Sequence, residues 1–477
     1  MALVAIGTFA YLELRNGRTP ATVLAPVPSD GPESSFKRIM PFADARAVLD
    51  ALPDRAPVEL RVPPAEQEAA WTRWAARHNL EIRQRLERGD EDSVVNFWLY
   101  GTSFTSRPRA TARDIARLPS RDAAEDLLIG RLDDLVAAVA SPANERVRFA
   151  RQVVERKGIN PATPAGQEQA RIYLVEARAR MVAEKERHRQ AAESAKQLGS
   201  ESAQMDALAT LYRERGLSSD TSITADFSLE RALDAARAQG RLAPGSVRRI
   251  AIIGPGLDFT DKAEGYDFYP LQTIQPFAVL DSLARLGLAG SSAVRLTTFD
   301  LSPRVNQHIT TARERARAGD AYVLQLPLET ADPGRQWHPD LVSYWQQLGG
   351  RIGADTAPIP PPAGAKGLNV RAVSVRPDVV TSITPHDVNI VVEQLQPAAL
   401  GEGFDLVIAT NVLVYYDAFE QGLALANIAA MLRPGGVFLT NHTVPTRPPF
   451  ESAPSQITKV FWDKNGNGDT VFAYQRK

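Results

Sequence analysis

Residues Arg248–Phe259 read RRIAIIGPGLDF, and this stretch decides the fold. Val247 to Ile253 is a short apolar run rich in β-branched residues, the composition of a buried strand. It stops at Gly254-Pro255-Gly256, and glycine lets a backbone pass close to a ligand with no Cβ in the way. A strand that ends at glycines ahead of a helix is the first unit of a doubly wound α/β sheet. A lone G-x-G turn is weak evidence, so the weight falls on the order of the elements beyond it.

Past the turn the chain alternates. Thr273 to Leu286 has amphipathic helical spacing through Ile274, Phe277, Leu280, Leu283 and Leu286. Val294 to Phe299 is a second strand closed by Asp300, and Arg304 to Ala318 a second helix. A third strand is expected at Val379 to Ile383, leading into HDVNIV, and a fourth at Phe404 to Ala409, leading into TNVLVYYD. Ala418 to Leu432 is helical and ends at Arg433-Pro434-Gly435-Gly436, where proline cannot continue the helix. Val437 to Thr440 is the fifth strand. The closing run from Ile457 to Tyr474 is a hairpin around a glycine-rich turn. That turn, DKNGNGD, imitates a calcium loop, but Tyr474 stands where a bidentate Glu would be needed, and a hairpin turn explains it better.

Strand–helix alternation closed by an antiparallel hairpin resembles the class I S-adenosylmethionine-dependent methyltransferases. The expected fold class is therefore α/β: a Rossmann-like seven-stranded methyltransferase sheet, preceded by a mostly α-helical region. Within that class, the strings FDLSPRVNQHITTARERARAGDAY, VNIV, FDLVIATNVLVYYD and LRPGG resemble the chemotaxis-receptor (CheR-type) methyltransferases. The resemblance covers roughly residues 247–477. It implies S-adenosylmethionine as cofactor and a cofactor-binding set of Gly254, Gly256, Asp258, Asp300, Asn389, Ile390, Thr410 and Asn411. Asp300 would accept from the ribose diol, Asn389 and Ile390 would flank the adenine, and Thr410 and Asn411 would stand beside the cofactor. Asp258 falls where a third glycine is usual, and is the choice of anion for the methionine amino group over Asp261, Glu264 and Asp267. The departures are real: Ile252 replaces the usual acid before the first glycine, Thr410 replaces an arginine, and the subfamily's first, cysteine-bearing motif is missing. A glutamyl acceptor is therefore not supported.

Methyl transfer rests on positioning, and a base is needed only when the acceptor loses a proton as it reacts. Asn411, Tyr415 and His386 are the candidate catalytic residues, with His308 and His442 also in this half. Tyr266, Tyr269, Tyr415 and Tyr416 would supply an aromatic wall to the sulfonium, and core packing is the alternative for each. The acceptor, a protein or a small metabolite, is not specified. The rival readings are a methyltransferase-fold binding protein without activity, and a dinucleotide-binding enzyme, against which the closing hairpin argues.

The rest of the chain is different in character. Residues 36–245 read as mostly helical: Trp71 and Trp74 share a face, Leu127, Leu128, Leu132 and Leu135 recur at helical spacing, and Gln167 to Gln197 is long and charged. Asn96 to Arg109 (NFWLYGTSFTSRPR) reads as an interrupting loop, either lining a substrate entrance or burying its aromatics. Three regions are expected: residues 1–35, an apolar segment and polar linker; 36–245; and 246–477, with an insertion at about 334–366 serving as a lid, a binding element or a structureless excursion. Ala2 to Leu12 is too short for a span of about 20 residues. It is a buried strand or frayed tail, or else a truncated anchor, so a cytoplasmic location is expected with membrane anchoring or export as the alternative.

Composition mainly excludes. Of 477 residues, 55 are Lys or Arg and 56 Asp or Glu, a net charge of -1 that argues against a surface built for nucleic acid. No cysteine is present, so disulfides, thiolate nucleophiles and Cys-bound metals are excluded. Arginine outnumbers lysine 46 to 9, which reads first as base composition.

Overall fold

The structure is a computed structural model that describes residues 36–195, 216–217, 223–259, 266–289, 294–329, 336–362, 365, 367–396, 401–444, 450 and 453–477. Ala2 to Leu12, Asp261 and Glu264 lie outside the described residues.

The largest sheet has seven strands, numbered here in chain order: β1 (Arg249–Ile253), β2 (Arg295–Phe299), β3 (Ile383–His386), β4 (Phe404–Ala409), β5 (Leu432–Thr440), β6 (Gln456–Phe461) and β7 (Gly468–Gln475). Their order across the sheet is β3-β2-β1-β4-β5-β7-β6. The first five are parallel, while β7 runs antiparallel to β5 and to β6. This is the Rossmann-like methyltransferase sheet with its antiparallel hairpin. All six residues of β4 and the last four of β1 are buried, because central parallel strands are covered on both faces. Strand order reverses between β1 and β4, and in open α/β sheets ligands bind outside the carboxyl ends of the strands at such a point.

Two helical layers cover the sheet. One face packs Ile250, Ile252, Leu406 and Ile408 against Phe227 and Leu233 of a helix at Ile223–Ala238 and Phe277 and Leu283 of another at Gln275–Arg285. The other face packs Ala251, Ile253, Val407 and Ala409 against α1 (Phe42–Ala51), α2 (Gln67–Tyr100) and the helix Ala418–Met431. Trp71 and Trp74 do share an inward face; their rings stack at 5.4 Å, and Trp74 meets Phe419 edge-on at 5.7 Å. Apolar packing therefore runs across residue 245, where the sequence changes character. The far end of α2 enters a separate core with Leu132 and Leu135 of a helix at Arg121–Ala140, and Val147 and Ala150 of a helix at Glu145–Glu155.

Three expectations need correction. Helix α2 continues to Tyr100, so the interrupting loop starts at Gly101, not Asn96: Val94, Phe97 and Trp98 sit on the buried face and hold the last turns. The loop itself is pinned, since buried Asp267 accepts from the hydroxyls of Thr102 and Ser103, and Phe104 packs on Phe97 at 4.9 Å. Val379 to Thr381 is not strand but part of a helical turn, Pro377–Thr381, started by a proline suited to the first helical position; β3 begins only at Ile383. Residues 336–362 are not a structureless excursion but part of a folded unit. Tyr322–Glu329, Leu368–Val375 and Gly353–Thr356 form a three-stranded antiparallel sheet, onto which a helix at Pro339–Gln347 docks through Trp345 Nε1, donating to the Leu326 carbonyl at 2.9 Å. Pro327 fits there because Tyr322–Glu329 is an edge strand. No helix among the described residues is long and apolar enough to cross a membrane.

Candidate cofactor site

Beyond β1 the chain turns through Gly254 and Gly256, both at φ 68°. A Cβ at Gly254 would lie 2.6 Å from Val412 Cγ2, so the segment after β4 closes directly on this turn. The Gly254 amide donates to the Phe299 carbonyl at 2.8 Å. Just beyond, the Asp300 carboxylate accepts from the amides of Gly256 and Ser302, the latter at 2.8 Å. The ends of β1 and β2 are thus stitched around one carboxylate. Burial pushes the Asp300 pKa up to about 7, against those two amides and Arg304, and Asp387 adds to the rise. A carboxylate raised by burial is short of donors, and a ligand that brings hydroxyls would hold it ionised.

At the end of β4, Thr410 is buried and its Oγ1 accepts from Gln275 Nε2 at 2.9 Å. Asn411 is the one non-glycine residue at positive φ, 58°, among the described residues. Asparagine tolerates that region better than most residues, and here it is also locked. Its amide donates to Asn441 Oδ1 and its Oδ1 accepts from Asn441 Nδ2, both at 2.8 Å. Held strain of this kind is typical of ligand sites. Gly254, Gly256, Asp300, Thr410 and Asn411 therefore meet at the neighbouring carboxyl ends of β1, β2 and β4.

The side chains of the other expected residues already have partners within the protein or are buried in its core. Asp258 is 5% exposed and binds within its own loop, with Oδ2 accepting from Tyr269 at 2.8 Å and Gln272 at 2.9 Å. Buried Arg146 donates to the carbonyls of Asp258, Phe259 and Tyr269 and so fixes that loop to the helical region. Asn389 is fully buried, with Nδ2 3.3 Å from both His78 Nδ1 and Asn79 Oδ1 of α2. Ile390 is buried, and its carbonyl accepts from Asn427. His386 sits between Phe36 and Phe299, its pKa lowered by burial and by Arg313 and Lys37. The aromatic wall is not one group: Tyr266 and Tyr269 pack with Leu368, while Tyr415 and Tyr416 join the core of Phe419. Burial raises the Tyr416 pKa against the pull of Arg85, and Glu420 and Asp300 add to the rise, so its phenol stays neutral.

Several residues at the site escape a reading of motifs. Arg83 Nη2 donates to both Asp387 carboxylate oxygens at 2.9 Å, and Arg85 donates to the Tyr415 carbonyl at 2.7 Å, laying α2 over the ends of β3 and β4. His78 Nε2 lies 3.0 Å from Glu420 Oε1, both side chains being about 5% exposed. His442 Nε2 lies 3.3 Å from Gln421 Nε2, whose amide also donates to Leu413 and Tyr416. Burial lowers the His442 pKa, leaving a neutral imidazole. The string Thr440-Asn441-His442-Thr443 does signal this corner, since it places polar residues directly after β5 as Thr410-Asn411 does after β4.

No protein-family model matches the chain, and no curated protein matches it. Solved structures do. Its structural neighbours are class I S-adenosylmethionine-dependent methyltransferases. The N-methyltransferase NodS from Bradyrhizobium japonicum WM9 shares 14% identity over 52% of this chain and 96% of its own, with a TM-score of 0.24. Magnesium protoporphyrin IX methyltransferase (ChlM) from Synechocystis PCC 6803, solved with bound SAM, shares 11% over 53% and 79%, with a TM-score of 0.23. The CMeT domain of the citrinin polyketide synthase shares 12% over 91% and 96%, with a TM-score of 0.26. Scores this low add nothing about the reaction, and the fold is read from the chain's own strand order. The finer likeness to chemotaxis-receptor methyltransferases gains no support from these neighbours.

Proposed function

We propose that the protein is an S-adenosylmethionine-dependent methyltransferase whose cofactor site lies over the Gly254–Gly256 turn. The observation that carries this reading is the Asp300 carboxylate, held by the amides of Gly256 and Ser302 at the carboxyl ends of β1 and β2. The residues fit an adenosyl group: a side-chain-free turn for close approach, a donor-poor carboxylate for a ribose diol, and a locked floor at Thr410 and Asn411. Bound there, S-adenosylmethionine supplies an electrophilic methyl group on a sulfonium.

The protein's own contribution would be to bind, orient and exclude water. Asp300 would fix the ribose end, and the Asn411–Asn441 pair would keep the β4 end rigid. Arg83 and Arg85 would hold α2 as a cover that keeps solvent out. Where the acceptor must lose a proton, His442 at the β4–β5 corner would be a candidate beside His386 beyond β3, burial lowering the pKa of each. The acceptor class, a protein or small metabolite, would be chosen by α2 and the helices it meets, and the reading goes with a cytoplasmic location, membrane anchoring or export being the alternative.

A second reading, a methyltransferase-fold binding protein without turnover, is favoured by Asn389, whose side chain is already bound to α2 where the adenine would be flanked. Calorimetry with S-adenosylhomocysteine and S-adenosylmethionine decides. The expected result is micromolar binding, weakened about 10- to 100-fold by Asp300→Asn, since hydrogen bonds to a charged group contribute roughly 1.5–3 kcal/mol. No binding by well-folded protein would remove the proposal. Binding without methyl transfer to any fraction of a cell extract would establish the second reading.

A further inference from the structure

We propose that the opposite rim of the sheet carries a second binding site, an arginine-lined cleft for a small phosphate-bearing ligand. In a parallel sheet the amino ends of the strands share one rim, so the starts of β1, β2, β4 and β5 lie side by side and away from Gly254 and Asp300. Arg248, Arg249, Arg295 and Arg433 line a cleft there of about 370 Å³, with Glu402 and Asp405 as its acids. That volume is at the small end of the roughly 300–1,000 Å³ of ligand pockets.

The charges in this cleft do not cancel. Arg433 Nε meets Asp405 Oδ1 at 2.5 Å, while Asp405 Oδ2 accepts the backbone amides of Arg248 and Arg249, both at 2.8 Å. Asp405 is thereby occupied, which leaves three guanidiniums facing one carboxylate, Glu402. Among the described residues, the side chains of Arg248, Arg249 and Arg295 form no ion pair. Arg249 and Arg295 are register partners on adjacent strands, and like charges directly opposite destabilise a sheet unless something neutralises them. An arginine-rich composition accounts for arginine at any one exposed position. It does not account for a seat, and Arg249 has one. Its Nη1 lies 2.5 Å from the place a Cβ would take on Gly401, at φ 60°, and its guanidinium stands 5.9 Å from the Phe404 ring centre. Any side chain at residue 401 would displace it. Arginine forks match carboxylate and phosphate oxygens alike, and it is the excess of guanidiniums over acids in one cleft that suits a multiply charged phosphate better than a single carboxylate.

This site does not depend on the adenosyl reading, and the test keeps the two apart. Inorganic pyrophosphate is titrated into the intact protein by calorimetry at low salt, with S-adenosylhomocysteine titrated separately. Wild-type protein is expected to bind pyrophosphate with sub-millimolar affinity. Arg249→Gln with Arg295→Gln would weaken it about tenfold or more and leave the S-adenosylhomocysteine titration unchanged. Gly401→Ala, which keeps every charge but crowds Arg249, would weaken pyrophosphate in the same direction, and Arg295→Gln alone, at an exposed position, covers the case in which a variant does not fold. Three results would each overturn the proposal: no pyrophosphate binding by wild type; binding as tight as wild type by both the double variant and Gly401→Ala; or tighter binding of a single-stranded oligonucleotide, released steeply by salt. The last would make the rim a polyanion surface and not a small-ligand site.

Discussion

Replacing Gly254 with alanine tests how the ends of β1 and β4 meet. Two separable costs arise from the geometry. At φ 68° an L-residue is in the left-handed region, which costs about 1–2 kcal/mol. The new Cβ would also lie 2.6 Å from Val412 Cγ2, and forcing a methyl into a packed site costs roughly 1–3 kcal/mol. The single variant should therefore lose about 2–5 kcal/mol of unfolding free energy in urea, the sum of those ranges. Val412→Ala removes the clashing methyl but leaves the backbone cost untouched. In a double-mutant cycle the pair should thus couple by about 1–3 kcal/mol, with the double variant less damaged than the sum of the singles. Additivity within about 0.5 kcal/mol would refute the close contact. S-adenosylhomocysteine affinity, measured on the same proteins, should recover in the double variant if the contact shapes the cofactor floor.

Other outcomes stem from buried charge. Asp300 has a folded pKa raised to about 7, so the folded state holds a proton that the unfolded chain has lost between roughly pH 4 and 7. Stability should fall as pH rises through that window, and Asp300→Asn should flatten the slope. Ligand hydroxyls would lower this pKa, so S-adenosylhomocysteine binding at pH 6 should release a proton, seen as buffer-dependent heat; no buffer dependence would sink the idea. Burial pushes Asp226 up to about 8, opposed by a side-chain hydrogen bond from Gln275. Its contribution likewise declines from about pH 4 to pH 8, and Asp226→Asn should raise the melting temperature at pH 8.5 and not at pH 4. His78→Ala leaves Glu420 buried without its imidazole and should cost about 3–5 kcal/mol in urea unfolding, whereas a loss under about 1 kcal/mol would show the pair to be idle.

The sheet was legible because its central strands are extreme. RIAII and FDLVIA have almost no polar interruption, which only a strand covered on both faces tolerates, and the hairpin announces itself through Asn-Gly. The ends of β1, β2 and β4 were legible for the same reason, since a polar residue directly after such a run must lie at the sheet's rim. What escaped depends on distant partners. Asn389 looked free in VNIV because nothing local reveals that His78 and Asn79, more than 300 positions away, would take its amide. The sheet from Tyr322 to Val375 hid behind Pro327, which breaks a strand pattern unless the strand is an edge, and edges are decided by topology. Val379 and Val380 read as strand by propensity, yet their valines are buried in a helical turn. The order of strands and helices carried the fold class, and the local strings read as one subfamily's added nothing to it.

Helix α2 is a single rod of 34 residues, about 50 Å at a rise of about 1.5 Å per residue. Its first turns are cemented to the sheet through Trp71 and Trp74, its last turns to the distant bundle through Val94 and Trp98, and its middle carries Arg83 and Arg85 over β3 and β4. A rod gripped at both ends ties the bundle and the sheet into one piece, so a substitution that shifts the bundle's core should also be felt where Arg83 and Arg85 cross β3 and β4. For the same reason residues 246–477 expressed alone would lose α1 and α2 from one face of the sheet and the Ile223–Ala238 helix from the other, and such a fragment is expected to aggregate instead of folding.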